Sequence, residues 1–138
     1  MAHISFDEDE VIEYLFEGER AKEDPCSALL RFVPYKKVQR YRKMIITDFA
    51  EKSDGVKNAR RLSEIRIGVE RDIQRKQFLE NVVEVRNYFI KGEEVKDPGR
   101  FYDTAPADLV IETIRAMEDA QQLSEGQRKN SPGQSAGA

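Results

Sequence analysis

The sequence predicts an α+β fold, predominantly α-helical, with four to five helices, a short N-terminal strand and a small β-hairpin. Three observations predict it. Stretches at 35–52 and 57–83 carry apolar residues at spacings of three and four, the helical period. The short apolar run from Ser27 to Val33 is stopped by Pro34. A segment dense in strand formers, around Tyr88-Phe89-Ile90, meets a two-residue break at Lys91-Gly92.

Taken in order, residues 7–17 place acids first and then Val11, Ile12, Leu15 and Phe16 at spacings of one, three and four. That suits one face of a short helix, with acids at its positive end and Gly18 as its stop. The same acidic run is also compatible with an arm that orders on contact. Asp24-Pro25 reads as a turn. Ser27–Val33 reads as a strand, and Pro34 suits the start of the helix at 35–52, where its missing N–H costs nothing. Val38, Tyr41, Met44/Ile45 and Phe49 form that helix's stripe. Ser53-Asp54-Gly55 is its stop and turn. In the helix at 57–83 the stripe is Leu62, Ile65, Val69, Ile73 and then Leu79 or Val82.

Arg86–Ile90 and Glu93–Lys96 read as the two strands of the hairpin, closed by Asp97-Pro98-Gly99. By propensity alone the first of them also fits the tail of the long helix. Thr104 is an N-cap candidate for a last helix running from about 105 to 122, with Pro106 in its first turn. Its apolar residues are Leu109, Val110, Ile111, Ile114 and Met117. Ser124 has the capping-box spacing for one more turn, and Ser131–Ala138 has the composition of a disordered tail. The reading is therefore an acidic arm at 1–24, a single globular domain at 25–130 and a tail at 131–138.

Composition narrows the function classes. The hydrophobic share is 39% and the charged share 36%, against roughly 45–50% and about 25% in an average domain. The core is therefore thin, which suits helices with wide solvated faces or an apolar face that meets a partner. The single cysteine, Cys26, excludes an internal disulfide and fits a reducing cytoplasm. The acidic start fits no secretory leader, and no apolar stretch approaches the roughly 18 residues a membrane span needs.

Nothing in the sequence forms a catalytic constellation, so the reading is not an enzyme. The one histidine is His3, at the terminus. Cys26 has no histidine partner in a structured region, and a buried structural thiol is the plainer reading. Asp7-Glu8-Asp9-Glu10 has acids without the glycine and ligand spacing of a calcium loop. No glycine-rich phosphate loop occurs. No metal or cofactor is expected.

Charge is unevenly spread. Residues 1–24 hold nine acids and two bases, and residues 25–61 hold ten bases and three acids. The two segments either neutralise each other or their counterions, or one docks a charged partner. Lys36, Lys37, Arg40 and Lys43 are the candidate charged docking residues. With Arg31, Arg42 and the aromatics Phe32, Tyr35 and Tyr41 they have the composition that tracks phosphates and stacks bases. The overall pI of about 5.4 and the core spacing of those aromatics argue against nucleic acid.

From about Phe78 the order of features is "VEVRNYFIKGEEVKD", a short loop, "APADLVIETIRAME" and "LSEGQRKNS". This resembles the tail assembly chaperones of long-tailed bacteriophages and prophages. That family has a hairpin turn of the kind seen at Lys91-Gly92-Glu93-Glu94-Val95. A helix like Pro106–Ile114 follows, and then a closing segment like Leu123-Ser124 through Lys129-Asn130. The strand and charged helix of "DPCSALLRFVPYKKVQRY" fit the family more loosely. The acidic first twenty residues and the basic run Arg31–Lys43 depart from it.

The resemblance implies a protein without catalytic residues. It would bind the tape measure protein and keep it soluble until tail tube protein polymerises around it. It implies work in the cytoplasm of the bacterial host and absence from the mature virion. It also implies a second form extended by a ribosomal frameshift near Ser131–Ala138. A homo-oligomer is compatible with it. The expected contact surface lies on the helices at 57–83 and 105–122 and the hairpin between them, with Tyr88, Phe89, Phe101, Leu109 and Ile114 as candidate protein contacts. Two other readings stand beside it: a structural virion component such as a tail or connector protein, and a small nucleic-acid-binding regulator using 31–43.

Overall fold

The computed structural model of the chain describes residues 10–119. The fold is α+β and mostly helical, as the periodicities predict. Four α-helices lie among the described residues: α1 (Tyr35–Lys52), α2 (Ala59–Asn81), α3 (Pro98–Thr104) and α4 (Ala107–Glu118). Strands β1 (Ile12–Leu15), β2 (Ser27–Leu30) and β3 (Val82–Arg86) form an antiparallel sheet in the order β1-β2-β3. Strands β4 (Phe89–Ile90) and β5 (Glu93–Glu94) make a separate hairpin. The helical turn read at Ser124, the tail from Ser131, His3 and Asp7–Asp9 lie outside the described residues.

The segment read as a short helix at 7–17 is instead strand β1. "VIEYLF" carries two periods at once. Val11, Ile12, Leu15 and Phe16 fit a helix, while Ile12, Tyr14 and Phe16 alternate. The alternating set is the one that is buried. Pairing decides it: Ile12 lies opposite Leu30, and Tyr14 opposite Ala28. The described part of the segment read as an arm, residues 10–24, is thus not separate from the domain, because Tyr14 and Phe16 are wholly inside the core.

β2 is the centre of the sheet. Its inward residues Ala28 and Leu30 face Val85 and Val82 of β3, with an irregularity between Leu29 and Leu30. The chain then leaves the sheet extended. The Arg31 N–H donates to the Asn81 carbonyl at 2.8 Å, and the Val33 N–H to the Met117 carbonyl at 2.7 Å. These two bonds fix the start of α1 against the ends of α2 and α4. Pro34 caps α1 as expected.

α1 and α2 form a helical hairpin closed by the turn at Ser53–Gly55, where Gly55 has φ +76°. The Asn58 side chain caps α2 by accepting from the Arg61 N–H at 3.1 Å. The buried residues of α1 are Val38 and Tyr41, and those of α2 begin only at Val69. Beyond them the hairpin holds half-buried Met44, Ile45, Phe49, Leu62 and Ile65. So its base belongs to the core, and its far end is a thin two-helix arm.

Asn81 ends α2 and the chain passes straight into β3, which excludes the reading of this stretch as a helix tail. The core lies between the inner face of the sheet and the C-terminal half of α2, α3 and α4. Phe16, Phe78 and Phe101 stack in its middle, with ring centroids 6.1 Å apart for Phe16–Phe101 and 6.0 Å for Phe78–Phe101. α3 is a helix that the sequence reading took for a loop. Asp97 caps it by accepting from the Arg100 N–H at 3.1 Å, and Pro98 takes the first turn. An Asp-Pro-Gly string serves equally as a hairpin stop and as an N-cap with proline at the first helical position. Thr104 closes α3 and does not cap α4; its hydroxyl donates to the Arg100 carbonyl at 2.6 Å.

Candidate protein-contact surface

The hairpin sits where β3 breaks away from the sheet. Asn87 has φ 59°, so the strand read as continuous over Arg86–Ile90 is split there. The Asn87 amide donates to the Pro25 carbonyl at 3.0 Å, which ties the break to the body. Lys91 (φ 51°) and Gly92 (φ 83°) form the turn. Both angles are positive, the condition for the two-residue turn that matches strand twist. Phe89 lies opposite Glu94, and Ile90 opposite Glu93. After β5, Val95 donates to the Tyr88 carbonyl at 2.7 Å, and Lys96 accepts from the Val85 N–H at 3.1 Å. The hairpin's base therefore covers part of the outer edge of β3.

This geometry sends the three aromatic candidates to different places. Phe101 is fully buried, 0% exposed, so it is a core residue and not a contact residue. Tyr88 is half-buried. Its ring meets Phe101 edge-on at 4.8 Å, and its hydroxyl is 3.1 Å from Thr104 Oγ1. Phe89, one residue on, points outward and is 56% exposed. The alternation of a strand separates neighbours to opposite faces. Ile114 is buried at 7%, and Leu109 is half-buried against the core. On α4 the exposed apolar residue is Ile111, which sequence reasoning passed over as part of one stripe.

Glu112, between those residues, has a structural task. Its carboxylate accepts from the Tyr14 hydroxyl at 2.7 Å and from the Glu17 N–H at 2.9 Å. That joins α4 to the end of β1. Burial, then the bond to Glu112, raises the Tyr14 phenol well above its ordinary range.

Three of the four charged candidates share an exposed face of α1: Lys36, Arg40 and Lys43. They are spaced by four and three, so they form one line along the helix. Lys37 does not belong to it. Its ammonium donates to Asn81 Oδ1 at 3.0 Å and lies 5.9 Å from the centre of the Tyr41 ring. Tyr41 donates to Glu80 at 2.5 Å and accepts from Asn81 Nδ2 at 3.1 Å. Burial first, then the bond to Glu80, pushes the Tyr41 phenol up to about 12, and the same bond holds the Glu80 carboxyl below its ordinary value. This network locks α1 onto the end of α2. Sequence spacing missed it because Lys37 and Asn81 are far apart in the chain.

Cys26 is buried, and burial pushes its thiol up to about 11. Its protonated form prevails near neutral pH, the state of an inert core thiol. Among the described residues no group of three or more His, Cys, Asp or Glu side chains could hold a metal ion. Among them, no helix is long and apolar enough to cross a membrane. Comparison with models of known families, with curated proteins and with solved structures gives no match.

Proposed function

We propose that this chain is a tail assembly chaperone of a long-tailed bacteriophage or prophage, which binds the tape measure protein and keeps it soluble while the tail tube forms. One observation carries the reading. The stretch that holds most of the resemblance, from Phe78 to Glu118, folds as a contiguous run of elements around the core, and its hairpin presents Phe89 to solvent. A large aromatic held outward by a fixed turn is the kind of anchor that a protein partner covers. Exposed Ile111 on α4 adds an apolar position on the same C-terminal unit. The flanking charge keeps such a surface in solution until a client helix occupies it.

In this reading the protein works in the host cytoplasm and leaves before the virion is complete. The test is co-expression with a tape measure protein of a long-tailed phage. The client's soluble fraction rises, and the two co-purify. Phe89→Ala reduces that rescue while the chain's own unfolding midpoint stays in place. Failure of the pair to co-purify overturns the reading. Presence of the chain in purified particles moves it to a structural virion component.

The line Lys36, Arg40 and Lys43 favours a second reading, a nucleic-acid-binding regulator. It requires an affinity for duplex or single-stranded nucleic acid that falls steeply with salt. It is lost if replacing those three residues with alanine leaves that affinity unchanged.

A further inference from the structure

The two long helices treat their charges differently. Every basic residue of α2 has a carboxylate partner, at 3.2–3.9 Å: Arg60 and Arg61 at Glu64, Arg66 at Glu70, Arg71 at Asp72, Arg75 at Asp103 and Lys76 at Glu80. The exposed line on α1 is not matched in this way. Among the described residues no ion pair reaches Lys36, Arg40 or Lys43. The acids of α1 itself, Asp48 and Glu51, lie in its second half. Three like charges along about 10 Å of one helix face repel one another.

The complementary charge is close along the path of the chain. Residues 1–9 hold Asp7, Glu8 and Asp9 and no lysine or arginine. They lie outside the described residues, which begin at Glu10. β1 runs antiparallel to β2, with Ile12 opposite Leu30. Going back from Ile12 therefore follows the direction in which β2 goes forward, through Arg31–Pro34 into α1. Asp7 is five residues before Ile12, and α1 starts at Tyr35, five residues after Leu30. Five extended residues span at most about 17 Å. Equal lengths of chain thus bring the acidic run and the start of the basic line to the same end of the sheet.

We propose that Asp7, Glu8 and Asp9 dock along α1 on Lys36, Arg40 and Lys43, so that the chain covers its own basic face. Three carboxylates meet three cations. In an extended segment Asp7 and Asp9 stand about 7 Å apart on one side, close to the rise of about 6 Å between Lys36 and Arg40. The contact is exposed and electrostatic, so it weakens as salt rises. While it holds, the basic line is closed to other polyanions. This contact is independent of the chaperone reading.

The test is zero-length carbodiimide cross-linking of the full chain, which joins a carboxylate to an amine it touches, with peptide mass spectrometry of the monomer band. At low salt, links join Asp7, Glu8 or Asp9 to Lys36 and Lys43 in preference to the other lysines, and about 0.5 M salt removes them. Replacing the three acids by lysine abolishes these links. Adding Lys36→Glu, Arg40→Glu and Lys43→Glu restores links between the same segments in the opposite sense, the signature of a direct contact. Asp7→Asn, Glu8→Gln and Asp9→Asn together free the face, and that variant binds heparin about tenfold more tightly than the parent at low salt. Circular dichroism checks that each variant keeps its fold, as exposed substitutions should. Links confined to other lysines or to the dimer band overturn the proposal. So do links indifferent to salt, a double reversal that restores none, and a neutralised variant that binds heparin no better than the parent.

Discussion

Neighbouring residues in this chain have opposite duties, and substitutions at them separate accordingly. Phe101 stacks between Phe16 and Phe78, so Phe101→Ala leaves a cavity in the densest part of the core. Its cost is about 3–5 kcal/mol in equilibrium denaturation. Phe89→Ala, on the exposed face of the hairpin, changes stability by less than about 0.5 kcal/mol in the same experiment. Cys26 sets a pH dependence. The folded chain holds its proton to about pH 11, whereas the ordinary thiol value is 9.0. Between those values the unfolded state has released the proton and the folded state has not. Stability is therefore fully present below that window and falls as pH rises through it. Tyr41, pushed up to about 12 from 10.0, extends the fall in the same direction. Denaturation midpoints measured across the alkaline range check this, and Cys26→Ala flattens the first part of the slope. Lys37 shows how far a single residue was legible. Its charge was plain in the sequence, but its partner Asn81 was set by the docking of two helices.

At the scale of elements, local signals placed the two long helices closely and the short pieces poorly. α1 begins behind Pro34 and ends at the Ser53–Gly55 stop, as its pattern predicts. α2 runs from Ala59 to Asn81, within two residues at each end of the 57–83 that its period predicts. Long amphipathic stretches repeat their period several times, so one wrong position does not change the reading. β1 and α3 are four and seven residues long. In so short a span both periods fit, and the decision passes to distant partners. α2 also holds a measurable cost. Gly68→Ala, assayed in dilute solution, stabilises the chain by about 1 kcal/mol, because the helix gains propensity and the new methyl group meets no steric obstacle. A raised melting temperature is the readout.

For the whole molecule, the consequential difference is at the start of the described chain. β1 forms one edge of the sheet, and Tyr14 and Phe16 fill the core beneath α4. Removing residues 1–24 takes away both aromatics, uncovers the edge of β2 and leaves Glu112 without Tyr14. The truncated chain is expected to lose its cooperative thermal transition by circular dichroism. An arm outside the domain would instead leave that transition unchanged. The same architecture places the exposed Phe89 on a hairpin anchored by Asn87 and Val95, so the proposed contact rests on a rigid base.

The sequence by itself determined the α+β class, the helices α1 and α2 with the turn between them, β2 and the Lys91-Gly92 turn. Each depends on periodicity or on a backbone preference that a few adjacent residues express without help. Tertiary structure decided that 12–15 is a strand, that Phe101 is inside while Phe89 is outside, and that Lys37 is structural while Lys36 faces solvent. The physical reason is common to all three. Burial is a property of where a side chain lands after distant segments meet. Adjacent residues with nearly equal hydrophobicity or charge carry no local mark of which side that will be.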